Sequence, residues 1–113
     1  MKAIGGNIQA ELQIKTGSTK NAIGERVQNW ETVTTLTGFL DLQAGDSKYQ
    51  SYSAKVQEST HIFICDYVAL DNAVKAENSR LIVNGERYDV MLIDNPMELN
   101  YQLEIYLKYT GVQ

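Results

Sequence analysis

The sequence predicts an all-β fold, namely a small closed or partly open antiparallel β-barrel of about six strands. A long polar loop and at most one short helix are expected to accompany it. Three observations predict this fold. Apolar and polar residues alternate with a period of two near both ends of the chain, an Asn-Gly pair separates two β-rich runs, and the connections are short. Residues 1–113 are expected to form a single domain, because a chain of this length holds one compact core.

The N-terminal half supplies two of the predicted strands. Residues 7–15 ("NIQAELQIK") alternate between apolar and polar side chains, which predicts a strand with one wet face. Residues 16–24 ("TGSTKNAIG") are rich in Gly, Ser, Thr and Asn and are predicted to form a loop. Residues 29–43 then form a long strand. Its apolar phase slips between Val33 and Leu36, and a glycine follows, so we expect a bulge or bend there.

The middle of the chain combines one apolar strand with polar segments. Residues 44–59 are too polar for a core strand, so they are expected to form a long loop, of a kind that is usually functional or disordered. The spacing of Tyr49, Tyr52 and Val56 would also permit a short helix there, although the serine content disfavours it. Residues 59–67 ("STHIFICDY") return to strand. After them, Asp71 is expected to cap a short helical turn within 69–78 ("ALDNAVKAEN").

The C-terminal third contains the clearest local signal. Asn84-Gly85 sits between two β-rich runs and predicts a type I′ turn, in which both residues adopt positive φ. Tyr88, Val90 and Leu92 are expected to face one way, and Asp94-Asn95-Pro96 to end that strand. The last strand, 100–109 ("NYQLEIYLKY"), again alternates. Tyr101, Leu103, Ile105, Leu107 and Tyr109 are predicted to share one face, opposed by Gln102, Glu104, Tyr106 and Lys108.

Composition and charge exclude several classes of function. The net charge of −4 argues against strong binding to a nucleic-acid backbone, which requires a clustered cationic surface. No apolar run of about 18 residues is present, so no membrane span is expected, and neither is a secretory leader. One cysteine cannot form an internal disulfide, which fits a reducing compartment or an intracellular assembly.

The only histidine and the only cysteine, His61 and Cys65, lie four positions apart. On a strand such residues share a face but are separated by roughly 13 Å, at about 3.3 Å per residue. Zinc ligands must lie within roughly 2.0–2.3 Å of one ion, and a thiolate–imidazole pair needs a hydrogen bond, so neither arrangement is possible. We interpret Cys65 as a small buried hydrophobe and His61 as either a residue of the barrel rim or a hydrogen-bonded side chain.

Other catalytic patterns are lacking. The carboxylates have no spacing that marks an acid–base pair, and there is neither a phosphate-binding glycine loop nor a nucleophile elbow. The sequence therefore predicts no enzyme, with no catalytic residue, cofactor or metal. One alternative of another class is an oligonucleotide-binding barrel, in which Tyr49 and Tyr52 beside Lys48 would stack on bases. An enzyme using Cys65 is a more distant alternative.

The order of the motifs resembles the head-tail joining, or head-closure (stopper), proteins of long-tailed bacteriophages and prophages. The similarity spans nearly the whole chain and rests on the order and spacing of the motifs. They are "GERVQNW" at 24–30, "GDSKY" at 45–49, "THIFICDY" at 60–67, "RLIVNGERYDVMLIDN" at 80–95 and "LEIYL" at 103–107. One departure is clear: the family often has an arginine before the tyrosine of the third motif, where this chain has Cys65-Asp66.

The resemblance implies a structural protein of the virion neck that assembles in the host cytoplasm as a ring. It implies docking beneath the portal and adaptor, transient contact with packaged DNA and a surface for the tail, without a membrane. A tail-terminator or neck protein of the same module is the nearby alternative. The polar loop from Gly45 to Ser59 is the candidate for a channel loop. Its candidate residues are Gly45, Asp46, Ser47, Lys48, Tyr49, Gln50, Ser51, Tyr52, Ser53, Lys55 and Glu58.

Overall fold

The protein is an all-β molecule in which six antiparallel strands form one ring-like sheet. A computed structural model describes residues 5–42 and 59–112. The strands are β1 (Ile8–Lys20), β2 (Arg26–Leu42), β3 (His61–Asp66), β4 (Ser79–Val83), β5 (Glu86–Asp94) and β6 (Gln102–Val112). Their order around the sheet is β1-β2-β3-β6-β5-β4, and β4 pairs with β1 to close the ring into a barrel. The predicted fold class is confirmed.

The core fills the inside of the barrel with side chains from all six strands. Alternation decides which residues point inward, because successive side chains of a strand lie on opposite faces. On β6, for example, Leu103, Ile105 and Leu107 are buried, as the sequence predicts. The buried apolar cluster consists of Ala10, Leu12, Leu36, Phe63, Cys65, Leu81, Val83, Tyr88, Val90, Leu103, Ile105 and Leu107.

Two of the predicted backbone features are confirmed. Asn84 and Gly85 both adopt positive φ, at 52° and 78°, as a type I′ turn between β4 and β5 requires. The bulge in β2 is also present. Leu12 pairs with Thr34 but its neighbour Gln13 pairs with Thr32, so Val33 is the extra residue.

Three sequence predictions are wrong in detail. Residues 16–24 are not all loop, because β1 continues to Lys20 and only the following residues form the turn. Leu92 does not share a face with Val90. A register shift places Leu92 opposite Tyr106 and turns Ile93, opposite Ile105, toward the core. Finally, the described residues contain two one-turn 3-10 helices instead of at most one helix, at Ala76–Asn78 and Pro96–Glu98.

The turn predicted after Asp71 is present, ahead of the first of these helices. Its carboxylate accepts a hydrogen bond from the Ala73 N–H at 2.9 Å, and its carbonyl accepts one from the Val74 N–H. The 3-10 helix itself begins at Ala76, five residues after Asp71. Asp71 therefore organises the turn but does not cap the helix.

Candidate interaction site

The first candidate surface lies at the end of the barrel where β2 stops and β3 starts. Leu42 pairs directly with His61, so the two strand ends that flank residues 43–58 are neighbours. The His61 ring packs edge-on against Tyr88, with ring centroids 5.1 Å apart, and Tyr88 in turn packs against Tyr109 at 5.3 Å. We call Leu42, Thr60, His61, Tyr88 and Tyr109 the loop base.

Thr60 fixes the point at which the chain re-enters the barrel. Its N–H donates to the Leu107 carbonyl oxygen at 2.8 Å, and its hydroxyl oxygen accepts from the Tyr109 N–H at 2.8 Å. The same hydroxyl lies 2.9 Å from Nδ1 of His61. Thr60 and His61 thus attach the start of β3 to β6 at one place.

The predicted loop residues themselves, Gly45 to Glu58, lie outside the described residues. The proposal that they form a channel loop therefore stays a prediction, as does the stacking role suggested for Tyr49 and Tyr52. What the structure does place is Ser59, which is buried directly before the loop base. Both anchoring points of the segment 43–58 are thus defined and adjacent.

The His61–Cys65 interpretation is confirmed by burial and geometry. Cys65 belongs to the core and is 1% exposed. Burial, aided by the neighbouring Asp66 carboxylate, raises the pKa of the Cys65 thiol to about 11, so the thiol is neutral and unreactive at pH 7. His61 lies at the rim with its ring on Tyr88. Within residues 5–42 and 59–112, no cluster of three or more His, Cys, Asp or Glu residues could hold a metal ion.

We expect the buried thiol to make the fold less stable at alkaline pH. The folded pKa of Cys65 is about 11 and its unfolded value is 9.0, so above about pH 9 only the unfolded chain releases the proton. Stability is complete below about pH 9 and falls as the pH approaches 11, by about 3 kcal/mol at most for this group. Burial and Glu86 also raise the pKa of Tyr88, which acts in the same direction.

Urea unfolding under reducing conditions at about pH 8 and about pH 10.5 measures this loss. A Cys65→Ala variant is less stable at both pH values but should lose less stability between them. Equal losses in both proteins would show that the thiol does not cause the pH dependence.

The second candidate surface lies at the opposite end of the barrel. β1 pairs with β4 only from Ala10 to Ile14, yet its pairing with β2 continues to Lys20 and Arg26. Residues 15–30 therefore project beyond the barrel wall as a two-stranded hairpin, which we call the arm. Because neighbouring strands are antiparallel, the arm lies at the end of the barrel opposite to Leu42 and His61.

A groove of about 720 Å³ lies where the arm joins the barrel wall. Trp30 and Lys15 line it from the arm, and Arg80 and Arg87 line it from β4 and β5. The Arg80 guanidinium stacks over the Trp30 ring with its carbon 4.1 Å from the ring centroid. Tryptophan and arginine are the residues most enriched in the energetic centres of protein interfaces.

A polar network on the outer face holds Arg80 in this position. Its Nε donates to Oε1 of Gln13 at 2.8 Å, and Nε2 of Gln13 donates to the Thr32 hydroxyl oxygen at 3.1 Å. Thr32 donates onward to the Glu11 carboxylate at 3.0 Å. Burial and then the nearby Arg87 lower the pKa of Arg80, although an arginine in water titrates so high that it stays charged. The groove therefore presents a fixed cation beside an aromatic face.

Sequence reasoning did not find the groove. Its residues come from β1, β2, β4, β5 and the helix Ala76–Asn78, and they meet only because β4 closes the ring on β1. The one available signal was Trp30 at the end of the "GERVQNW" motif, an aromatic residue between polar neighbours.

No helix in the described part of the chain is long and apolar enough to cross a membrane. The two surfaces offer aromatic, cationic and hydrogen-bonding groups without an arrangement for bond-making chemistry in the described ranges.

Comparison with known proteins agrees with a role in binding other proteins. A family model described as phage head completion protein matches residues 1–108. Comparison with curated proteins gave no match.

Proposed function

The chain belongs to the phage head completion protein family, and on that premise we propose how it closes the head. As a member it is a structural protein of the virion that interacts with other head and tail proteins. We propose that it docks beneath the portal and adaptor of a DNA-filled head, retains the packaged DNA and presents the surface that receives the tail. Assembly takes place in the host cytoplasm and ends in the neck of the particle.

The loop base is the observation that carries this proposal beyond the family. It places Leu42 beside His61, so the described strand ends that flank the polar segment 43–58 are neighbours at one edge of the barrel. A segment anchored in this way extends from one place without disturbing the core. Sixteen or so residues reach a few tens of Å when extended, at roughly 3.3–3.6 Å per residue. This is long enough to cross part of a channel that DNA occupies.

The charge of the chain suits contact with DNA that must later be released. A net charge of −4 keeps most of the surface from binding a polyanion. Several copies arranged as a ring would place their loops around one opening. The two lysines in the segment, Lys48 and Lys55, would then supply the local attraction to phosphate.

Tail-less, DNA-filled heads test the proposal directly. Adding the purified chain and then tails should produce infectious particles, and the chain should bind heads before it binds tails. A tail-first order of binding would indicate a tail-terminator role instead. Failure to bind either heads or tails would rule out the proposed function.

A loop variant tests the role of the segment in the same assay. Lys48→Ala combined with Lys55→Ala should still bind heads but should retain less DNA, measured as nuclease-sensitive DNA leaking from the particles. Lys108→Ala, an exposed lysine on β6, is the matched control and should retain DNA like the wild type. Equal DNA retention in all three proteins would remove these lysines from the mechanism.

A further inference from the structure

The groove at the root of the arm has the features of a binding site for a small apolar side chain flanked by charge. Trp30 and Met91 provide apolar surface, and Arg80 and Arg87 lie on the barrel side. Two acids, Glu77 and Asp89, also line it. A cavity of about 720 Å³ that mixes both signs of charge with an aromatic floor fits a protein segment. It does not fit a nucleic-acid backbone, because the two carboxylates would repel the phosphates.

The tip of the arm presents such a segment. Ile23 is 79% exposed although it lies in an ordered turn. The side-chain oxygen of Asn21 accepts hydrogen bonds from the N–H groups of Ile23 and Glu25, and the Asn21 N–H donates to the Glu25 carbonyl oxygen. The turn already orders the exposed Ile23 and the neighbouring Glu25 in the free protein. Binding through Ile23 therefore costs little further conformational entropy.

We propose that the arm tip of one copy of this chain inserts into the groove of a second copy. Ile23 packs on Trp30 and Met91, and the adjacent Glu25 meets the arginines of the groove. A chain does not fill its own groove. The strand continues for about four residues from Trp30 toward the tip, which is roughly 13 Å along the hairpin. The hairpin points away from the groove of its own chain.

This contact joins two different surfaces, so it is heterologous and propagates from copy to copy. If the rotation between copies closes, the product is a ring, which is the arrangement put forward above for the virion neck. The inference deepens the proposed function and rests on it for the setting, while the contact itself depends only on the arm and the groove.

Disulfide trapping tests the contact between copies. Chains carrying Ile23→Cys are mixed with chains carrying Met91→Cys under mild oxidation. The native Cys65 is buried and stays silent. We expect the mixed disulfide to form at least about ten times faster than with a partner carrying Phe39→Cys, which places a cysteine at an exposed position on another wall of the barrel.

A mixing experiment tests the direction of the contact. Chains with Ile23→Asp have a defective tip, and chains with Met91→Asp have a defective groove. Sedimentation velocity should show wild-type protein associating beyond a dimer as its concentration rises, whereas each variant alone stays monomeric. The 1:1 mixture should stop at the dimer, because the one intact tip fills the one intact groove. The proposal would be overturned if the wild-type protein stays monomeric and the cysteine variants also fail to cross-link. It would equally be overturned if the 1:1 mixture stays monomeric.

The same cysteine pair in assembled particles separates this inference from the proposed function. Particles that contain the chain but give no cross-link between positions 23 and 91 would refute the arm contact and leave the head-closure role intact. Particles that never incorporate the wild-type chain would instead refute the role proposed for it. A cross-link within the particle supports both.

Discussion

Replacing Phe63 by alanine is expected to lower the free energy of unfolding by about 3–5 kcal/mol. Phe63 lies in the middle of β3 and is 0% exposed. Its cross-strand neighbours are Leu40 on β2 and Ile105 on β6, so three adjacent strands contact the space that the ring would vacate. A closed barrel collapses poorly into such a cavity, because moving one strand inward disturbs the pairing of its neighbours. The loss should therefore lie toward the upper end of the range.

The chain offers a matched control, since its other phenylalanine is Phe39. Phe39 points outward from β2 and is 48% exposed, so Phe39→Ala removes the same atoms with little cavity. We expect a loss below about 1 kcal/mol for this variant. Urea denaturation with both variants and the wild type measures the difference. Similar losses at the two positions would contradict the assigned inner and outer faces of β2 and β3.

The parts of the fold that could be predicted are those in which one face of a strand is buried. On β6 the alternation of Leu103, Ile105 and Leu107 with polar residues reports which face lies on the core. Asn84-Gly85 likewise predicts its turn, because few residue pairs tolerate positive φ at both positions. In such places the local sequence and the tertiary structure require the same conformation.

The arm could not be recognised because both of its faces are wet. From Lys15 to Lys20 nearly every side chain is exposed, so a strand and a loop have the same polar composition. Pairing with residues 26–30 makes these residues a strand, and no apolar pattern in the sequence indicates that pairing. The register shift that turns Leu92 away from the face of Val90 could not be predicted for a related reason. A register shift adds one residue to a strand without any change in composition.

The candidate site was predicted only in part, for reasons of topology. The sequence marks the polar loop and the strand after it, because both are contiguous. The groove requires Trp30 to meet Arg80, 50 positions along the chain, and that approach depends on how β4 closes against β1. Neither residue has a neighbour in sequence that reveals its partner. The prediction of one domain for residues 1–113 was made from length alone and stays a prediction.

Replacing Gly38 by alanine is expected to destabilise the protein by about 3 kcal/mol or more, despite adding only a methyl group. Gly38 pairs with Ile8 on one side and with Cys65 on the other. A Cβ at this position would overlap the carbonyl oxygen of Ile64 and lie 2.9 Å from the Cβ of Cys65. The obstacle is backbone, so a rotamer change does not relieve it. β2 and β3 would have to separate at this position.

Gly24→Ala is the control that separates this clash from the general cost of losing a glycine. Gly24 has a φ of +86°, but a Cβ there would meet nothing within 4 Å, so only backbone strain of about 1 kcal/mol applies. Gly38 does not have a positive φ, and its cost comes from the close approach of the two strands. Thermal or urea unfolding should therefore rank Gly38→Ala well below Gly24→Ala in stability. The reverse order would mean that β2 and β3 separate easily at Gly38 and that this position does not need a glycine.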